Sequence, residues 1–168
     1  MTKTFDDLQA AFAGESQANR KYTAFAQKAD AEGYPQIARL FRAAAHAETV
    51  HALAHFRAME GVGDTLANLK AAIGGENYEV VEMYPEFIKD AEAEGERRAL
   101  RSFTNAWEVE KVHEELYREA LALLESGGND EDGYEFYVCP VCGYTHKRSA
   151  PEKCPVCGVP GSRFEKVS

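Results

Sequence analysis

Glu48-Thr49-Val50-His51 and Glu110-Lys111-Val112-His113 are the two stretches on which the fold turns. Both read Glu-x-x-His, and on a helix the i, i+3 spacing puts carboxylate and imidazole side by side on one face. Each pair lies in a stripe of apolar or small residues, so that face points inward. Glu15, within AFAGESQA at residues 11–18, has the same kind of surroundings. Glu76 and Glu79 form a second i, i+3 pair within the segment GENYE. Four helical segments thus supply five carboxylates and two imidazoles. Buried carboxylates are costly unless something positive sits among them, and two divalent cations would neutralise most of this charge. Mixed oxygen and nitrogen ligation suits iron or manganese, whereas calcium rarely takes imidazole. A lone Glu-x-x-His is usually a solvated pair; two in register with a repeat, joined by Glu15 and Glu76, are not. His46 and His55 flank His51 and read as neighbours of the ligands or as surface residues. A zinc-protease reading fails, because no His-Glu-x-x-His run is present.

Outward from these motifs, residues 4 to about 126 are rich in Ala, Glu, Arg, Lys, Leu and Gln, all good helix formers. Apolar positions recur at helical spacing, as in Phe5, Leu8, Phe12 and in Ile37, Leu40, Phe41. Gly33 with Pro35 separates a first helix from a second; Gly61, Gly63 and Asp64 end the second; Gly95 divides a third from a fourth. Four helices of this length predict a four-helix bundle. The short turns at Gly33 and Gly95 make helices one and two, and three and four, antiparallel neighbours. The stretch 61–75, punctuated by Gly74 and Gly75, is expected to carry the chain across the bundle.

The chain repeats itself. Ala31-Glu32-Gly33 echoes Ala93-Glu94-Gly95 at an offset of 62, shared by Tyr22 and Tyr84 and by the two Glu-x-x-His motifs. Gly14-Glu15 matches Gly75-Glu76 at an offset of 61. The slip predicts one extra residue between Glu76 and Tyr84, which a π-bulge would absorb, and such bulges favour functional sites. Tyr22 and Tyr84 lie one to two turns from Glu15 and Glu79. Their symmetry favours hydrogen bonding to ligands or supply of a proton.

Residues 126–133 (SGGNDEDG) read as a polar linker. Beyond it the composition changes, and residues 134–138 (YEFYV) alternate as a short strand does. All four cysteines lie here, in two C-P-V-C-G knuckles, Cys139 with Cys142 and Cys154 with Cys157. Four thiolates in a tetrahedron bind zinc or a single iron. Zinc would make this a structural clip or binding module; iron would make it a redox centre. The boundaries read as 1–126 for the bundle, 127–133 for the linker and 134–168 for the cysteine domain.

The formal charge of −9 removes several functions. Nucleic-acid binding demands a basic face, and an anionic membrane surface is equally unsuited. No run approaches the ~20 apolar residues of a membrane span, and no signal peptide is evident, which points to the cytoplasm. The charge is uneven: residues 1–133 hold 14 basic and 25 acidic side chains, residues 134–168 hold 5 and 3. Opposite signs could help a cysteine domain dock on a bundle.

Taken together, Gly14–Tyr22 (GESQANRKY), the two Glu-x-x-His motifs, Gly75–Pro85 (GENYEVVEMYP) and the paired knuckles resemble the rubrerythrin family. That family joins a ferritin-like di-iron bundle to a rubredoxin-like Fe(Cys)4 domain. The resemblance covers about residues 4 to 166. It implies two irons held by Glu15, Glu48, His51, Glu76, Glu79, Glu110 and His113, and a third held by Cys139, Cys142, Cys154 and Cys157. Glu48 and Glu110 would bridge, Glu15 and Glu76 would be terminal on different irons, and His113 would join Glu76. Glu79 and His51 would alternate on the other iron, the carboxylate on ferric and the imidazole on ferrous. The implied activity is reduction of hydrogen peroxide to water, with Glu79, His51, Tyr84 and Tyr22 as catalytic candidates. Electrons would come from an NAD(P)H-dependent reductase or a rubredoxin-type donor, since no dinucleotide fingerprint is present. Ferritin-like iron oxidation and storage, and reduction of oxygen, are the rival activities. His113 to Ser126 spans roughly 20 Å of helix. The linker therefore either folds back or carries the cysteine domain to a neighbour; the resemblance implies the latter, in a head-to-tail homodimer.

Overall fold

The computed structural model describes residues 2–128 and 133–167. The chain divides into two compact units at the boundary between Gly63 and Asp64.

The first unit is a helical hairpin. Helix α1 spans Lys3–Ala31 and helix α2 spans Pro35–Ala58. Thr2 caps α1, its hydroxyl accepting from the Phe5 amide. The turn works because Gly33 adopts φ +82, a left-handed conformation glycine enters without a Cβ clash. Pro35 then starts α2 at a position that needs no amide donor. Ala26, Ala29, Ala38, Ala45 and Ala52 line the buried seam; small side chains let the helices lie close. Asn19, buried among them, donates from Nδ2 to the Ala45 carbonyl at 2.6 Å and to Thr49 Oγ1 at 2.7 Å.

The second unit begins with helix α3, Thr65–Tyr78, which runs through a π-turn at Glu79–Met83 into α4, Tyr84–Glu94. After Gly95, at φ +73, helix α5 spans Arg97–Glu125. The extra residue read from the repeat is therefore absorbed where expected. The connector is not. Helix α3 starts at Thr65, so most of the stretch 61–75 is helix and not an irregular connector. Asp64 starts it by accepting from the Ala67 amide at 2.8 Å. Gly74 and Gly75 continue inside the helix, where a glycine costs only ~1 kcal/mol against alanine.

The remainder of this unit is a three-stranded antiparallel sheet: β1 Phe136–Val138, β2 Thr145–Lys147 and β3 Glu165–Val167, ordered β2-β1-β3. Tyr137 stands opposite both His146 and Lys166. Of the linker read at 127–133, residues 129–132 lie outside the described residues. No described helix is long and apolar enough to cross a membrane.

Candidate metal centres

In the second unit, Glu76 at the end of α3 and Glu110 and His113 on α5 bring one donor atom each within 4.8 Å of one another. His113 Nδ1 meets Glu110 Oε2 at 2.6 Å. Burial, then the charge of Glu110, push the Glu76 carboxyl up to about 7, with His113 opposing. Two carboxylates this close cannot both ionise cheaply, so one holds a proton unless a cation is present. Glu79, first residue of the π-turn, faces the same pair: burial and Glu110 raise its carboxyl, and His113 lowers it. The Tyr84 hydroxyl is raised by burial and by Glu79, Glu110 and Glu76.

The first unit carries the counterpart. Glu15 on α1 and Glu48 and His51 on α2 also bring donor atoms within 4.8 Å. His51 Nδ1 lies 3.0 Å from Glu48 Oε2 and 4.0 Å from Glu15 Oε1. The His51 side chain is 55% exposed, against 27% for His113. The structure thus brings six of the seven expected bundle ligands into two matching triads, with Glu79 beside one of them.

Tyr22 packs at a tilt against Phe25 and Phe41, at ring separations of 6.3 and 6.2 Å. Tyr84 meets Phe87 edge-on and Phe103 at a tilt, at 6.3 and 6.4 Å. All three pairs share the offset of 62, so Phe25/Phe87 and Phe41/Phe103 carry the same repeat signal as the tyrosines. His46 is exposed and His55 half-buried.

The four cysteine sulfurs gather within 4.8 Å, Cys139 to Cys157 and Cys142 to Cys154 both at 3.5 Å. Backbone amides point at them. Burial works against the Cys154 thiolate, but the Cys157 and Val156 amides outweigh it and lower the thiol to about 7. Burial pushes Cys142 up, against the Tyr144 amide. Four convergent soft donors with N–H groups aimed at sulfur suit a tetrahedral metal.

This domain rests on α5 of its own chain. His113 Nε2 meets Thr145 Oγ1 at 3.0 Å, and the Gly143 backbone lies against the same ring. Val109, 2% exposed, comes within 3.8 Å of where a Gly143 Cβ would stand. Lys147 pairs with Glu119.

Residues 6–121 match the rubrerythrin family, and residues 137–165 match the rubrerythrin rubredoxin-like domain. The chain belongs to the rubrerythrin family. Rubrerythrin-2 of Clostridium acetobutylicum is 35% identical, over 96% of this chain and 95% of its own. Nigerythrin of Nitratidesulfovibrio vulgaris is 40% identical, over 96% and 85%. The solved fully reduced, all-ferrous nigerythrin is similar at a TM-score of 0.58 with 38% identity, covering 99% of this chain and 88% of that one. The fold is thus the ferritin-like helical architecture with a small rubredoxin-like sheet domain. The carboxylate–histidine triads and the four cysteines fit the family's di-iron and four-cysteine iron sites.

Proposed function

We propose that this chain is a non-haem di-iron peroxidase that reduces hydrogen peroxide to water, with electrons arriving from an NAD(P)H-dependent reductase through the Fe(Cys)4 centre. Glu15, Glu48, His51, Glu76, Glu79, Glu110 and His113 would hold the di-iron group, Glu48 and Glu110 as bridges. Cys139, Cys142, Cys154 and Cys157 would hold the third iron. When bound as two ferrous ions, the di-iron group supplies the two electrons that O–O cleavage needs.

The chain's own residues supply position and protons. Tyr84 keeps its hydroxyl proton well above neutral pH because burial and three carboxylates oppose its loss. It therefore stays protonated as a hydrogen-bond donor beside the carboxylates. Glu79, raised by burial and by Glu110, is the carboxyl beside it that can take a proton and pass it on. Glu79 and His51 are proposed as alternative ligands: a carboxylate oxygen would suit ferric iron, and an imidazole nitrogen would suit ferrous iron.

One observation carries the redox reading. The His113 ring meets Glu110 through Nδ1 and Thr145 through Nε2. Thr145 follows the knuckle that holds Cys139 and Cys142, so one imidazole joins the carboxylate cluster to the cysteine domain. Such a contact would give electrons a short bonded route between the two centres. A cytoplasmic homodimer belongs to the same proposal; a solution mass of one chain would remove the dimer.

Stopped-flow oxidation of the reduced, iron-loaded chain tests the activity. Peroxide should oxidise it much faster than oxygen does, and Glu79→Ala should slow that step at least tenfold with the helical content unchanged. Equal rates with oxygen and peroxide would sink the assignment.

A further inference from the structure

The π-turn strands one carbonyl. In an α-helix the Val80 oxygen accepts from the amide of residue 84; in a π-turn it accepts from residue 85. Here the Tyr84 amide donates to the Glu79 oxygen. Residue 85 is proline, which has no amide hydrogen. Val80 is half-buried, and a carbonyl removed from water without a donor is costly. Another helix supplies the donor: Trp107 Nε1 donates to the Val80 oxygen at 2.8 Å. Lys111 fixes the indole from its face, the ammonium 3.2 Å from the ring centroid, and is itself paired with Glu108 at 2.8 Å.

The first hairpin holds the matching contact with its direction reversed. The repeat relates Asn19 to Val80 at an offset of 61, and Ala45 to Trp107 at an offset of 62. Asn19 Nδ2 donates from α1 to the Ala45 carbonyl of α2. In the second unit the side-chain donor stands on the later helix and the free carbonyl on the earlier one. The inter-helix clamp keeps its place, and it reverses where the π-turn and Pro85 release an acceptor.

We propose that Trp107 is a positioning residue for Glu79. Its indole N–H completes the turn that begins at Glu79 and so sets where that carboxylate stands against Glu110 and His113. This rests on the proposed function only in making Glu79 the group whose position counts.

Trp107→Phe keeps an aromatic ring and removes the donor. Pro85→Ala returns an amide hydrogen to residue 85, which can then serve the Val80 oxygen. In the metal-free full chain, hydrogen exchange of amides 81–84 should quicken about tenfold in Trp107→Phe, with α1 and α2 unchanged. In the double variant it should return to the rate of Pro85→Ala alone. In the reduced, iron-loaded chain, peroxide oxidation should slow about tenfold in Trp107→Phe and recover in the double variant. Unchanged exchange, or no rescue by Pro85→Ala, would overturn the assignment, since mere packing of the ring is not restored by an amide at 85. Normal oxidation in Trp107→Phe would overturn it as well. A wild-type chain indifferent to peroxide removes the proposed function instead, and the exchange and rescue measurements then decide the role of Trp107.

Discussion

Metal uptake at the Glu76–Glu110–His113 triad should depend steeply on pH. The Glu76 carboxyl stands at about 7 instead of its ordinary 4.5, through burial and the charge of Glu110. A group of that pKa is roughly 90% protonated at pH 6 and roughly 10% at pH 8. A cation binds only the carboxylate, so apparent affinity should rise about tenfold between those values from Glu76 alone, or about 1.4 kcal/mol. Glu79 and His113, both raised, add in the same direction. The sign for the metal-free fold is the opposite. A carboxyl raised on folding contributes stability that is present below its unfolded pKa and lost as pH rises through the folded value, here between about 4.5 and 7. Metal thus helps most where the empty fold is penalised. Calorimetric titration with cobalt(II) or zinc, in two buffers of different ionisation heat, reads both affinity and proton release. About half a proton should leave Glu76 per site at pH 7. An affinity flat from pH 6 to pH 8, with no proton released, would refute the burial-and-repulsion account of this carboxylate.

Asn19→Ala leaves the α1–α2 seam without its buried polar clamp and should cost about 1–3 kcal/mol in urea unfolding; a loss below ~0.5 kcal/mol would make the contact incidental. Gly161→Ala would put a Cβ 1.7 Å from the Pro151 carbonyl oxygen. The cysteine domain should then lose its red ferric colour while helical circular dichroism persists, and a normal visible spectrum would contradict that clash. Thr145→Val removes the partner of His113 Nε2. Electron delivery from the cysteine centre to the di-iron site, followed after rapid mixing, should slow by ~10-fold, with Thr145→Ser restoring it; an unchanged rate would show that the hydroxyl has no part in coupling the two centres.

Much of the site is legible in spacing alone because helical periodicity is a local property. Glu48 and His51 must share a face, as must Glu110 and His113, and a Cys-x-x-Cys knuckle must offer two sulfurs to one point. The one-residue slip in the repeat likewise announces the π-turn, since an insertion in a helix that keeps its face must be absorbed somewhere. One feature misled. Gly74 and Gly75 look like a break, yet the Asp64 cap and the tolerance of a long helix carry α3 through them.

By itself, then, the sequence determined which residue types share each face, which four thiolates belong together, and that two hairpins repeat one plan. Tertiary structure decided what meets across the gaps between elements. Trp107 finds the Val80 carbonyl, Asn19 finds Ala45, and Thr145 finds His113, over separations of 27, 26 and 32 residues. The physical reason is the same in each case. A neighbour on one helix is set by the 3.6-residue turn, but a neighbour on another element is set by how side-chain volumes pack and by which buried polar atoms still need a partner.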